Sequence, residues 1–309
     1  VHSGNMLWIL IFVSVCCAET EHHIVKRFKA NIKSDLNFSI KLTPKEPECG
    51  QPFTNSHSRI VGGAPSVLGA WPWIALLIYT INDDRNDRYF AGSGALVSLK
   101  HVLTAAHCVE NTFPKILSAV RLGDLNLNPT VDDGAAPVEI PVLNFITHPA
   151  YNHEMCQVYP QHDISIITLK YPVIVTKYIS PICLPTIPEL RTANFEKKNP
   201  FVVGWGDTSS KGPKSSALLE AQVPIVEHER CKTSYQGMNV NVSGSLLCAG
   251  GGGKDSCAGD SGGPLMLPHA GKYYLIGIVS LGLGCADERH PGLYTKVNDY
   301  VDWILTNIR

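Results

Sequence analysis

The chain is predicted to be an all-β protein closed by one C-terminal helix, and three features of the sequence point there. Residues after Arg59 fall into short runs rich in β-branched and aromatic side chains. Gly, Pro, Asn and Asp punctuate these runs, the pattern of many short strands joined by turns in a sandwich or barrel. Finally, Val297, Tyr300, Val301, Ile304, Leu305 and Ile308 recur at helical spacing, which gives a terminal helix one apolar face.

In chain order the expected strands are "WIALLIY" (73–79), "GALVSLKHVLTA" (94–105), "VEIPVLNFI" (138–146) and "DISIITL" (163–169). "FVVGW" (201–205), "LEAQVPIV" (219–226) and "YYLIGIVSL" (273–281) follow. There is no internal repeat and no low-complexity tract beyond the four glycines at 250–253.

A length of 309 residues allows one large or two ordinary domains, and 44% apolar with 17% charged residues suits a well-filled core. A net charge of −1 provides no basic field for nucleic acid. "MLWILIFVSVCCA", from Met6 to Ala18, is a short apolar run ending in small residues. It reads as a secretory signal peptide over 1–18, with 1–5 upstream of the true start. No later stretch is long and apolar enough to span a bilayer, so a released, extracellular protein is expected.

Of ten cysteines two lie in the leader, leaving 49, 108, 156, 183, 231, 248, 257 and 285. An even number in an exported chain favours disulfides, although spacing leaves their connectivity open. No CxxC or Cys/His cluster suggests zinc, and no cofactor is expected. Residues 19–59 are polar, Lys-rich and contain only Cys49, as an irregular pro-segment would be. Asn37 in "NFS" and Asn241 in "NVS" are acceptor triplets for N-glycans.

The stretch "KDSCAGDSGGPL" (254–265) sets the hydroxyl of Ser261 among glycines and beside two acids. A serine in such a bed is a candidate nucleophile only if it has a base, an orienting acid and donors for developing negative charge. "VLTAAHC" ends an apolar run at His107, and "HDISIITL" opens one at Asp163. Both positions lie where strands meet turns, a usual place for reactive side chains on a rigid scaffold.

"TAAHC", "HDISIITL" and "GDSGGPL" resemble the catalytic segments of the chymotrypsin–trypsin family of serine endopeptidases, in that family's His–Asp–Ser order. "RIVGG", "VVGWGDT", "CAGGGGKDSC" and "PGLYTKV" extend the resemblance over 60–309. The resemblance implies two packed six-stranded antiparallel β-barrels with a C-terminal helix. It also implies that Ser261 attacks the scissile carbonyl, His107 moves the proton and Asp163 orients the imidazole. Backbone N–H groups of Gly259 and Ser261 would hold the oxyanion.

By the same resemblance Arg59–Ile60 is an activation bond. Its cleavage creates an Ile60 ammonium that folds inward to Asp260, since a desolvated carboxylate needs a partner. Asp255 corresponds to the base of the substrate pocket, with Ser280, Gly282 and Gly292 as its walls. A carboxylate at the end of a narrow slot selects Arg or Lys. Three disulfides carry over: Cys49–Cys183, Cys231–Cys248 and Cys257–Cys285. The first would retain 19–59 as a light chain beside the peptidase domain at 60–309.

The sequence also departs from the family pattern. Gly92 stands where the usual partner of Cys108 would be, and Cys156 is also left over. These two cysteines pair with each other, stay free, or bond another chain. The loop carrying Asp124, Asp132 and Asp133 lies where some relatives bind calcium, but solvated acids are the plainer reading and no metal is assigned.

The leading function is a secreted zymogen of a trypsin-like endopeptidase, monomeric, in an extracellular cascade or a venom. Its partners would be protein substrates cleaved after Arg or Lys, an upstream activating protease and protein inhibitors, with neither nucleic acid nor membrane. The rival is a weak or inactive homologue acting as a binding or cofactor protein. The complete set His107, Asp163 and Ser261 argues against it. A disulfide-rich adhesion module would explain neither the triad nor the activation site.

Overall fold

In the computed structural model, residues 49–54, 63–81, 87–208, 212–251, 259–282 and 289–309 are described. They fall within one compact unit, Thr43–Arg309. Its first half is a closed barrel of six antiparallel strands. These are β2 (Ile74–Ile81), β3 (Arg88–Leu96), β4 (His101–Thr104), β5 (Lys115–Leu122), β6 (Val138–Thr147) and β7 (Ser165–Leu169). The order around the barrel is β2-β3-β4-β7-β6-β5, closed where Ala75 pairs with Leu122. A closed ladder leaves no unpaired strand edge, and Leu77, Leu96, Leu103, Ile166 and Leu169 fill the buried interior.

The second half is an eight-stranded sheet in the order β1-β9-β8-β12-β13-β14-β11-β10. Its long strands are β12 (Pro264–His269), β13 (Lys272–Leu281) and β14 (Gly292–Lys296). Beside them run β8 (Phe201–Gly204), β9 (Leu219–Gln222) and β11 (Leu246–Ala249). The end strands β1 (Ala64–Pro65) and β10 (Ile225–Val226) have two residues each, and the sheet is a half-barrel rather than a second closed ring. The all-β expectation therefore holds, with one barrel closed and the other open among the described residues.

The segment that opens the eight-stranded sheet is anchored by a buried acid. Ala64 pairs with Glu220, and the Glu220 carboxylate accepts hydrogen bonds from Ser66 Oγ and Trp71 Nε1, both at 2.7 Å. Burial beside that carboxylate pushes the Tyr273 hydroxyl up to about 12.

The predicted terminal helix is present as α3 (Val301–Asn307), led in by a 3-10 turn at Val297–Tyr300. Two short helices precede it, α1 (Pro188–Arg191) and α2 (His228–Ser234). Val297, Tyr300, Ile304 and Ile308 are buried in the cluster that also takes Trp73 and Ile278, and Val301 is buried too, so the apolar stripe locks the chain end to both halves. Ile304 is fully buried there. Ile304→Ala is expected to cost about 2–5 kcal/mol through lost transfer energy and a residual cavity, read as a fall in denaturation midpoint.

Two of the three expected disulfides lie in the described residues, Cys49–Cys183 and Cys231–Cys248. Cys257 and Cys285 lie outside them. Cys108 and Cys156 are both thiols, so no bridge joins them.

Candidate active site

Strand register brings the first two candidate residues together. Thr104 of β4 pairs with Ser165 of β7, and the chain leaves those strands toward His107 in one direction and Asp163 in the other. His107 sits in a 3-10 turn at Ala106–Cys108, and Asp163 grips it twice. The His107 backbone N–H donates to Oδ1 at 2.9 Å, and Nδ1 meets Oδ2 at 2.8 Å.

Two further hydroxyls secure Asp163: Ser280 Oγ donates to Oδ2 at 2.5 Å, and Thr295 Oγ1 donates to the backbone carbonyl at 2.8 Å. The Asp163 side chain is 3% exposed whereas that of His107 is 26% exposed, so the acid is sealed while the imidazole faces outward. Burial alone would raise Asp163, but the His107 charge and the hydrogen bonds from His107 and Ser280 outweigh it, and the carboxyl is held below its ordinary value.

Ser261 is carried by the second sheet and tied to the barrel, its carbonyl accepting from Ser93 N at 2.8 Å. Contact between imidazole and alcohol was expected, but His107 and Ser261 share no hydrogen bond among the described residues. Nε2 instead has the Cys108 sulfur 3.6 Å away. Gly92 lies beside that sulfur and offers it no bridge. Its φ is +74°, and a Cβ there would lie 3.3 Å from Cys108 Sγ. No partner draws that sulfur away, so it faces the imidazole.

Asp260 points away from Ser261. Its Oδ1 accepts from Gly206 N at 2.8 Å, and the carboxylate fills the space where Gly204 and Gly206 would carry side chains. Gly259 has φ +100° and passes so close to Gly206 Cα that a Cβ would lie 3.0 Å from it. The sequence motif "VVGWGDT" is thus the bed of the acid beside Ser261, a role that was not assigned to Gly204 and Gly206.

Of the expected pocket walls, Ser280 turns its hydroxyl to Asp163. Gly282 is exposed just after β13, and Gly292 opens β14 opposite Ala249. Asp255, Arg59, Ile60 and Asn37 lie outside the described residues, while Asn241 is exposed. In the loop considered for calcium, Asp124 pairs with Arg121 at 3.0 Å. Asp132 and Asp133 accept from Gly134 N and Ala135 N of their own loop.

A family model described as Trypsin matches residues 60–304. The chain belongs to the trypsin family. Among curated relatives it is 48% identical to a venom serine protease of Bombus ignitus, over 94% of this chain and 80% of that protein. It is 40% identical to a proclotting enzyme of Tachypleus tridentatus, over 94% of this chain and 77% of that protein. It is 38% identical to a phenoloxidase-activating factor of Holotrichia diomphalia, over 89% and 79%. This trypsin-family chain is a serine endopeptidase.

The site makes a definite pH prediction. Burial lowers the His107 imidazole, but Cys108 and Asp163 outweigh burial and raise it well above 6.5. A base must be unprotonated, so activity should rise with pH through a limb above the ordinary imidazole range of about 6.5, and above the 6–7 that an unperturbed histidine implies. Cys108→Ala removes one raising group and should move the limb of kcat/KM to lower pH. An unmoved limb would show that the sulfur does not act on Nε2.

Proposed function

We propose that this trypsin-family protein is a secreted zymogen, cut after Arg59 to yield an endopeptidase that cleaves peptide bonds after Arg or Lys. In this reading Ser261 is the nucleophile, His107 its base and Asp163 the orienting acid. The N–H groups of Gly259 and Ser261 receive the oxyanion. The observation that carries the reading is the double grip of a sealed Asp163 on an accessible His107. That grip fixes the proton on Nδ1 and leaves Nε2 to accept one.

Activation follows from Asp260. Its carboxylate lies in the glycine bed of 204 and 206, and the Ile60 ammonium released by cleavage supplies a cationic partner. The light chain, residues 19–59, stays attached through the Cys49–Cys183 disulfide. The leader is 1–18, and Asn37 and Asn241 carry N-glycans. Relatives named for venom, clotting and phenoloxidase activation support a place among extracellular proteases that act on protein substrates. Arg and Lys specificity rests on Asp255 at the base of the pocket, with Gly282 and Gly292 leaving it open.

The deciding experiment is cleavage of the purified protein after Arg59, followed by assays on short Arg, Lys and Phe amides with Ser261→Ala as the control. Arg or Lys turnover that vanishes in Ser261→Ala is the expected result. Turnover of Phe amides alone overturns the role of Asp255.

A further inference from the structure

An open cleft of about 390 Å³ borders Gly259, two residues before Ser261. Phe90, Ala91, Gly92, Trp205, Lys214 and Gly259 are among the residues lining it. Gly92 is next to Ser93, whose N–H holds the Ser261 carbonyl, and Gly259 is the proposed oxyanion donor. The cleft therefore meets the nucleophile from the barrel side. With the acyl part of a substrate in the pocket assigned to Gly282 and Gly292, this cleft, which borders Gly259 and neither of those glycines, is open to the departing peptide. That step rests on the proposed function above.

The charges around the cleft are not equivalent. Arg88 pairs with Glu139 at 2.5 Å, and Arg121 pairs with Glu139 at 2.6 Å and Asp124 at 3.0 Å. Both guanidinium groups lie over the Phe90 ring, at 6.0 and 5.0 Å from its centroid. Two arginines thus face two carboxylates and cancel. Lys214 differs. Its Nζ donates to the Phe90 carbonyl at 3.3 Å, and its Cε is 3.7 Å from where a Gly259 Cβ would be. Asp207 pairs with it across a backbone bridge, yet no carboxylate of the described residues lies within ion-pair distance of Nζ. An ammonium with no carboxylate partner among the described residues therefore stands at the mouth of the leaving-group cleft, beside apolar walls from Phe90 and Trp205.

We propose that Lys214 is a specificity-determining residue on the leaving side. It selects substrates with Asp or Glu at the first or second position after the cleaved bond. The pair would be partly exposed, so the preference over a neutral residue is about two- to fivefold in kcat/KM, and salt weakens it.

The test uses the full chain cleaved after Arg59 and internally quenched peptides that differ only in Glu, Gln or Lys at those two positions. Kinetics are read at low and high ionic strength. The native protein should favour Glu over Gln over Lys. Lys214→Gln should level the series, and Lys214→Glu should reverse it, with the reversal fading in salt. A Glu-to-Gln ratio of one in the native protein, or an unchanged ratio in Lys214→Gln, overturns the proposal.

Binding of the same peptides to the Ser261→Ala chain, followed by fluorescence anisotropy, separates this idea from the activity on which it rests. Failure to cleave any peptide after Arg or Lys would sink the proposed specificity. Equal affinity of Glu and Gln peptides for Ser261→Ala would sink the role of Lys214.

Discussion

Replacing Asp163 by asparagine is expected to lower kcat/KM of the cleaved enzyme by about 10⁴-fold, the size of loss this change causes in the trypsin-family triad. The reason lies in the two-fold grip on His107. Asp163 offers acceptors only, so its Oδ2 holds the imidazole with its proton on Nδ1. An asparagine at this site can present an amide N–H to Nδ1. The ring proton then moves to Nε2, which can no longer accept a proton from Ser261. The fold should persist, because Thr295 keeps the backbone carbonyl at 163 and the Ser280 hydroxyl can turn to accept from the new amide. Steady-state kinetics beside a thermal melt would check both parts. A variant that keeps more than a tenth of native kcat/KM would remove Asp163 from the mechanism.

The second large effect concerns Gly206. A Cβ built there falls 2.6 Å from both oxygens of Asp260, and the nearest neighbour is the carboxylate itself, not the free end of a flexible side chain. Gly206→Ala must therefore push Asp260 out of its bed and shift the Gly259–Ser261 segment that follows from it. Displacement of a catalytic group by about 1 Å can cost on the order of 10²-fold, and a loss of at least that size in kcat/KM is expected. Amino-terminal sequencing would show whether cleavage after Arg59 still occurs, which separates failed activation cleavage from failed ordering. Native-like turnover by cleaved Gly206→Ala would mean that the Asp260 bed does not govern the site.

Much of this protein was legible from its residues. Alternation of short apolar runs with turn residues led to the all-β class, and the spacing of Val297 to Ile308 led to the terminal helix. Both readings depend on local periodicity, which a linear chain records directly. Other features needed neighbours that the chain order hides. Gly204 and Gly206 sit more than fifty positions before the carboxylate that requires them to be glycines. Ser280 was read as a pocket wall, yet its hydroxyl holds Asp163. Nothing in its own stretch, "YYLIGIVSL", signals that partner.

The unpaired Cys108 shows the same division. The absence of a cysteine at position 92 was visible in the sequence, and so was the surplus at 156. Where the freed sulfur would turn was not. It lies 3.6 Å from Nε2 of the candidate base, because Gly92 brings no atoms to hold it elsewhere.

By itself, then, the sequence determined the fold class, the candidate groups and their chemical types, since these depend on side-chain identity and short-range spacing. Tertiary structure alone decided which atoms meet. The Thr104–Ser165 register sets His107 on Asp163, a glycine bed receives Asp260, and Lys214 stands beside Gly259 with no carboxylate partner among the described residues. Such contacts are set by strand pairing between distant segments, and distance along the chain carries no information about distance in space.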